Sequence, residues 1–148
     1  MGPQNLAKRL LILRTITPGL RRLVYLTTPP LWQSIADREL RRAAAAAAVE
    51  LTPLLIEGPV SEDAVVRAIL ALSDSAGLVI ADSGEFLALR DAIAAAALQR
   101  RIPSLGAQRE FAESGCLASF GPDQSRLYVS MAGHVDRVLK GANPGDLP

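Results

Sequence analysis

The chain has 148 residues, enough for one core of ordinary size and short for two. Apolar residues make up 49% and aromatic residues 4%, with 24 Ala and 23 Leu, so the interior is built from small and medium aliphatic side chains and intrinsic disorder is excluded. A single cysteine, Cys116, excludes a disulfide scaffold, and sixteen basic against fifteen acidic residues give +1, leaving no bulk field for nucleic acid or an anionic membrane.

The elements follow in chain order. Leu6, Leu10, Leu13 and Ile16 recur at spacings of three and four, which predicts a helix over residues 3–17, closed by Pro18-Gly19. The apolar stretch Leu10 to Leu13 is too short for a signal core of about 7–15 residues. Arg22 to Thr28 predicts a buried strand, and Pro29-Pro30 suits the start of a helix over 31–49. That helix carries the alanine run Ala43 to Ala48, which favours helix and close packing but is far short of the roughly 20 apolar residues of a membrane span. On these residues alone the chain is expected to be soluble and cytoplasmic.

Leu51 to Glu57 predicts a second strand, with Pro53 suited to a sheet edge. Ser61-Glu62-Asp63 caps a helix running to about Ser75, with Gly77 as its breaker. A short strand over Leu78 to Ala81, a helix over Glu85 to Arg100 and a strand over Pro103 to Gly106 come next. A helical turn over Arg109 to Ser114, a fifth strand over Cys116 to Phe120 and a last helix ending near Lys140 complete the series. Strands alternating with helices too long for hairpins predict an α/β domain, a doubly wound parallel sheet of Rossmann-like, flavodoxin-like type with five strands.

In such sheets ligands bind beyond the carboxyl ends of the strands, near the switch in strand order. Thr27, Thr28, Asp82, Ser83, Gly106, Phe120 and Asp123 occupy those ends. Each has a plainer role as a turn or cap residue; together they predict a binding rim for a small polar ligand. Trp32 follows the first strand's end by four residues, where it can stack on a ligand or pack beneath the rim.

Catalytic readings fare worse. No G-x-G-x-x-G follows the first strand and no Walker loop is present. Asp82 has the position of a phospho-acceptor, but Thr27-Thr28 stand where acidic metal ligands would be needed. His134 lies inside the last helix without a ligand-spaced partner, and Cys116 reads as a small core residue. No nucleophile, base and orienting group assemble, so no catalytic residues, no metal and no cofactor are expected.

The run Ile102-Pro103, Arg109-Glu110-Phe111-Ala112-Glu113-Ser114-Gly115, Ser119-Phe120-Gly121-Pro122-Asp123 resembles a family of ABC-transporter substrate-binding proteins. Tyr128, Val135-Asp136-Arg137-Val138-Leu139-Lys140-Gly141-Ala142-Asn143-Pro144 and Asp146-Leu147-Pro148 continue it in register. Weaker agreement upstream takes in Ala7-Lys8-Arg9-Leu10, Pro18-Gly19, the strand at Leu23 to Leu26, and Ala81-Asp82.

The resemblance implies a type I periplasmic binding protein: two Rossmann-like lobes on a hinge, closing on a small solute and delivering it to an ABC permease, with no catalysis. Amino acids, aromatic ones included, are ligands linked to the family, and the location implied is periplasmic or extracytoplasmic. Against that pattern the chain is expected to be the second lobe alone, with the first lobe, its export signal and the segment after Asp-Leu-Pro missing. Three rim positions depart from the family pattern: Thr28-Pro29 replaces Asn-Pro, Gly106 replaces an aromatic, and Phe120 replaces Tyr.

Half a site is expected to bind at millimolar affinity or worse, about 4 kcal/mol or less. Leu127, Met131, Val135, Val138 and Leu139 form an apolar stripe on the last helix (about 124–140), expected to pack on a partner lobe, on a second copy as a homo-oligomer, or back on its own sheet. Two other classes stay open: an effector-sensing lobe of a transcriptional regulator, which needs a DNA-binding segment upstream, and a Rossmann-like enzyme fragment.

Overall fold

A computed structural model describes residues 3–34, 37–73 and 76–146. Five parallel strands form one sheet in the order β2-β1-β3-β4-β5, where β1 is Arg22–Thr27, β2 Glu50–Leu55, β3 Ala76–Ile80, β4 Ser104–Gly106 and β5 Ala118–Ser119. The helices are α1 (Pro3–Ile16), α2 (Pro29–Ser34), α3 (Asp37–Ala46), α4 (Glu62–Leu70), α5 (Gly84–Ala88), α6 (Arg90–Gln99), α7 (Arg109–Glu113) and α8 (Gln124–Leu139), followed by a 3-10 turn at Pro144–Asp146. This is the doubly wound, flavodoxin-like order expected from the sequence.

β1 and β3 are central, and their aliphatic runs are buried throughout apart from Arg22 at the entry to β1. β2 pairs only with β1 among the described residues; Pro53 lies opposite Tyr25 on this edge, where a missing N–H costs no ladder bond on the open side. Right-handed crossovers place α3 on one face and α4 and α6 on the other. The observed packing agrees: α1 lies against α3 and α4 against α6. On α1, Leu6, Leu10 and Leu13 are buried, whereas Ile16 is exposed and outside the predicted stripe.

Gly77 is not a helix breaker. It lies within β3, where a Cβ would stand 2.7 Å from Leu20 Cδ2 and 2.8 Å from Leu23 Cδ2, so the absent side chain lets α1 and its following loop close on the sheet. The helix predicted over 31–49 corresponds to α2 and α3, with residues 35–36 lying outside the described residues and α3 ending at Ala46. The helix predicted over 85–100 is divided at Leu89, whose backbone (φ −99°, ψ 13°) leaves the helical region. The predicted end of α4 at Ser75 lies outside the described residues, and the helix itself closes at Leu70 with Ala71 as its C-cap. The fifth strand shrinks to the two residues that pair with β4.

α8 stands apart. From Arg126 to Leu139 every residue is exposed except His134, which is half-buried, so the helix does not fold back on its own sheet.

Candidate ligand-binding site

The carboxyl ends of β1, β3, β4 and β5 lie side by side, because all strands are parallel and in near register. The strand order switches between β1 and β3, which puts Thr28 and Ser83 on opposite sides of the crevice. Their depression of about 560 Å³ also takes in Pro29, Leu31, Ile56, Val60 and Glu85. A second groove, about 260 Å³, lies at the β4–β5 side, lined by Gln108, Arg109, Glu110, Ser119, Phe120 and Asp123 among others.

Asp82, half-buried, precedes Ser83 of the first depression in the chain. It accepts a hydrogen bond at Oδ1 from Gln108 Nε2. Arg9 reaches the same place from α1: it is 2% exposed, and its Nε donates to the Phe120 carbonyl at 2.7 Å. Burial holds the Arg9 pKa below its ordinary value, with Asp82 and Tyr25 opposing that shift. Tyr25 is buried beside this charge pair; burial pushes its hydroxyl up to about 12, Arg9 works against the rise and Asp82 adds to it. A buried guanidinium is tolerated where a carboxylate and a carbonyl answer it, and here the carboxyl ends of β3 and β5 supply them.

The sequence-predicted residues divide three ways. Thr28 and Ser83 line one depression, Phe120 and Asp123 line the other, and Asp82 links them. Thr27 is fully buried, its hydroxyl making a long 3.4 Å bond to the Thr28 carbonyl. Trp32 packs against Tyr25, ring centroids 6.1 Å apart and planes tilted by 44°, which places it beside the rim as an aromatic pair. Gly106 is buried under the Phe111 ring.

Several of these polar groups also serve the fold. Ser83 Oγ accepts from Phe86 N at 3.3 Å and caps α5, while Asp123 accepts from Arg126 N at 3.1 Å and caps α8. Lys8 sits 6.0 Å from the centre of the Phe120 ring.

Arg9, Tyr25 and Gln108 are the members the sequence pattern did not single out. Arg9 carried one signal, a charged residue inside the apolar stripe between Leu6 and Leu13. Cys116 is buried with its thiol pKa raised by desolvation, and no cluster of three or more metal-ligating side chains occurs among the described residues.

A conserved domain protein from Vibrio cholerae O1 biovar El Tor superposes with a TM-score of 0.74 at 22% identity, covering 96% of this chain and 48% of that one. The ABC domain from Streptococcus pneumoniae, solved in complex with L-Trp, gives 0.74 at 18% identity, with 97% and 50% covered. Glycerol dehydrogenase from Schizosaccharomyces pombe is more distant, at 0.53 and 14% identity over 72% of this chain and 26% of that one. The chain thus spans about half the length of the first two of these structures. No curated protein matches the sequence. The sequence of residues 3–148 matches the family described as ABC transporter substrate binding protein, and the chain belongs to that family.

Proposed function

We propose that this chain is the solute-binding lobe of an ABC importer's binding protein, holding a small solute such as an amino acid at the carboxyl ends of its strands. The observation that carries this is the linked trio of buried Arg9, half-buried Asp82 and buried Gln108 at the carboxyl ends of the strands, with Gln108 lining one groove and Ser83, next to Asp82, lining the other. Family membership supports a carrier role, and the L-Trp complex of a structural neighbour supports an amino acid as ligand. The lobe performs no catalysis in this reading; a permease receives the solute, and the working location is extracytoplasmic. Among the described residues no helix is long and apolar enough to cross a membrane.

Closure between lobes supplies the other half of the contacts and removes water. The lobe alone therefore binds in the millimolar range or weaker. A backbone-resolved NMR titration with L-tryptophan, other amino acids and small carboxylates tests this. Graded shifts confined to the loops around residues 28, 83, 108 and 120 are expected. Shifts elsewhere only, or none with any compound, would refute the reading.

We further propose that α8 associates with a second copy in an antiparallel pair centred on Met131. That register places Leu127 against Val135 of the second copy, twice over, on exposed apolar positions. Met131→Cys should crosslink to itself under mild oxidation, and Leu127→Cys should not. A chain that stays monomeric by light scattering at high concentration refutes the pairing.

A further inference from the structure

The groove at the β4–β5 side contains a polar atom that the described residues leave unanswered. Gln108 is only 8% exposed, its Nε2 is engaged by Asp82, and its Oε1 is buried with no hydrogen-bond partner among the described residues. The orientation of this amide follows from its neighbour. An ionised carboxylate only accepts, so the NH2 end must face Asp82 and the carbonyl end must face away from it. The buried Arg9 lies within electrostatic reach of the same carboxylate, so Asp82 has a cation on one side and the Gln108 amide on the other.

A buried carbonyl oxygen without a donor is costly, and native structures leave few of them. The other charged groups on the groove indicate what kind of donor completes it. Glu110 and Asp123 contribute carboxylates, and Arg109, the one cation lining it among the described residues, is drawn to Glu113 at 3.0 Å. Acceptors therefore dominate the lining, which the Phe120 ring shares, with Lys8 6.0 Å from its centre and Arg9 bonded to its carbonyl.

We propose that the β4–β5 groove is a subsite for a small organic ammonium, with Gln108 Oε1 accepting one of its N–H bonds and Asp82 holding the amide in the receptive orientation. Gln108 is then a specificity-determining residue, because a ligand lacking the N–H leaves Oε1 unpaired in the bound state. This assignment rests on the solute-binding reading of the rim and narrows it to the chemistry of one groove.

Two probes of equal charge isolate the hydrogen bond: phenethylammonium, which carries N–H donors, and its N,N,N-trimethyl analogue, which carries none. The full 148-residue chain is titrated with each, followed by NMR on the backbone and on the Gln108 side-chain amide. Phenethylammonium should bind more than tenfold tighter than the quaternary analogue, as expected for a bond from a charged donor. In Gln108→Met the preference should collapse to whatever the larger head group costs by size, with the backbone spectrum away from the groove unchanged. Asp82→Asn, whose amide can donate to Gln108 as well as accept from it, frees the Gln108 amide to turn; it should weaken the preference and serves where the methionine variant folds poorly.

Equal affinity for the two cations overturns the assignment, as does a preference that survives intact in Gln108→Met. Shifts at the rim with carboxylates or alcohols but with neither cation overturn the ammonium subsite and leave the solute-binding reading in place. Absence of rim shifts with every probe removes both.

Discussion

Gly106→Ala is the sharpest test of how the rim is supported. The added Cβ would fall under 3.0 Å from Cγ, Cδ2 and Cβ of Phe111, against 3.4–4 Å for ordinary contact, so about 1 Å of movement is needed. Rotating the ring cannot provide it, because the Phe111 Cβ is itself in the way and does not move with χ1. The ring is fully buried, so swinging it aside displaces packed core atoms. α7 must then shift bodily, at a cost toward the upper end of overpacking, about 3 kcal/mol. For a domain of this size that lowers Tm by about 6–12 °C. Phe111→Ala alone should cost about 3–5 kcal/mol through its cavity. The double variant should cost at least about 1 kcal/mol less than the sum, since the methyl added at position 106 then meets no ring, although the contact with the Cβ at position 111 remains. Urea denaturation of the four proteins completes the cycle. A neutral Gly106→Ala, or a cycle additive within about 0.5 kcal/mol, would refute the packing account and return Gly106 to the rim as an open backbone position.

Arg9→Met should destabilise by about 3–5 kcal/mol, because it leaves the Phe120 carbonyl without its 2.7 Å donor and Asp82 without its buried counter-charge; denaturant melts check this. Tyr25 links stability to alkaline pH. Its folded pKa is raised from 10.0 to about 12, so the native state resists ionisation, its full contribution holds below pH 10, and about 2–3 kcal/mol is lost as pH climbs from 10 to 12. Absorbance at 295 nm in a Tyr128→Phe background, where Tyr25 is the sole tyrosine, should titrate near the upper figure, and a midpoint near 10 would contradict the burial assigned to the ring. Cys116, buried and with its thiol pKa raised, should react with a thiol reagent only at the rate of unfolding, and fast stoichiometric labelling of the native chain would show that the β5 entry is open.

The parallel sheet was readable in the sequence because aliphatic runs such as Leu23 to Leu26 and Leu78 to Ala81 recur between helical periods, and crossover handedness fixes the face each connecting helix takes once the strand order is known. Local backbone chemistry also reads directly, which is why Ser83 and Asp123 emerge as helix-start residues in both sequence and structure. What failed to read is long-range or subtractive. Gly77 and Gly106 look like a breaker and a rim residue, yet each is a place where a side chain elsewhere, Leu20 or Phe111, occupies the room of the missing Cβ. Arg9 is 111 positions from the carbonyl it binds, and no local pattern connects α1 to the end of β5. Gln108 was legible only as part of a loop, since its importance lies in which end of its amide Asp82 occupies.

The near-neutral composition follows from the same arrangement. In the proposed solute-binding reading, a lobe needs no extended field to steer a small solute; it needs a few charges placed where water is scarce, since a charge with low exposure acts over its neighbours far more strongly than one on the surface. Arg9 is such a charge, and its position on the apolar stripe of α1 makes that helix part of the proposed site as well as part of the core. It follows that a substitution on the buried face of α1, remote from both grooves in sequence, should alter ligand response through Asp82 and Gln108, whereas changes at exposed Leu11 on the opposite face should not.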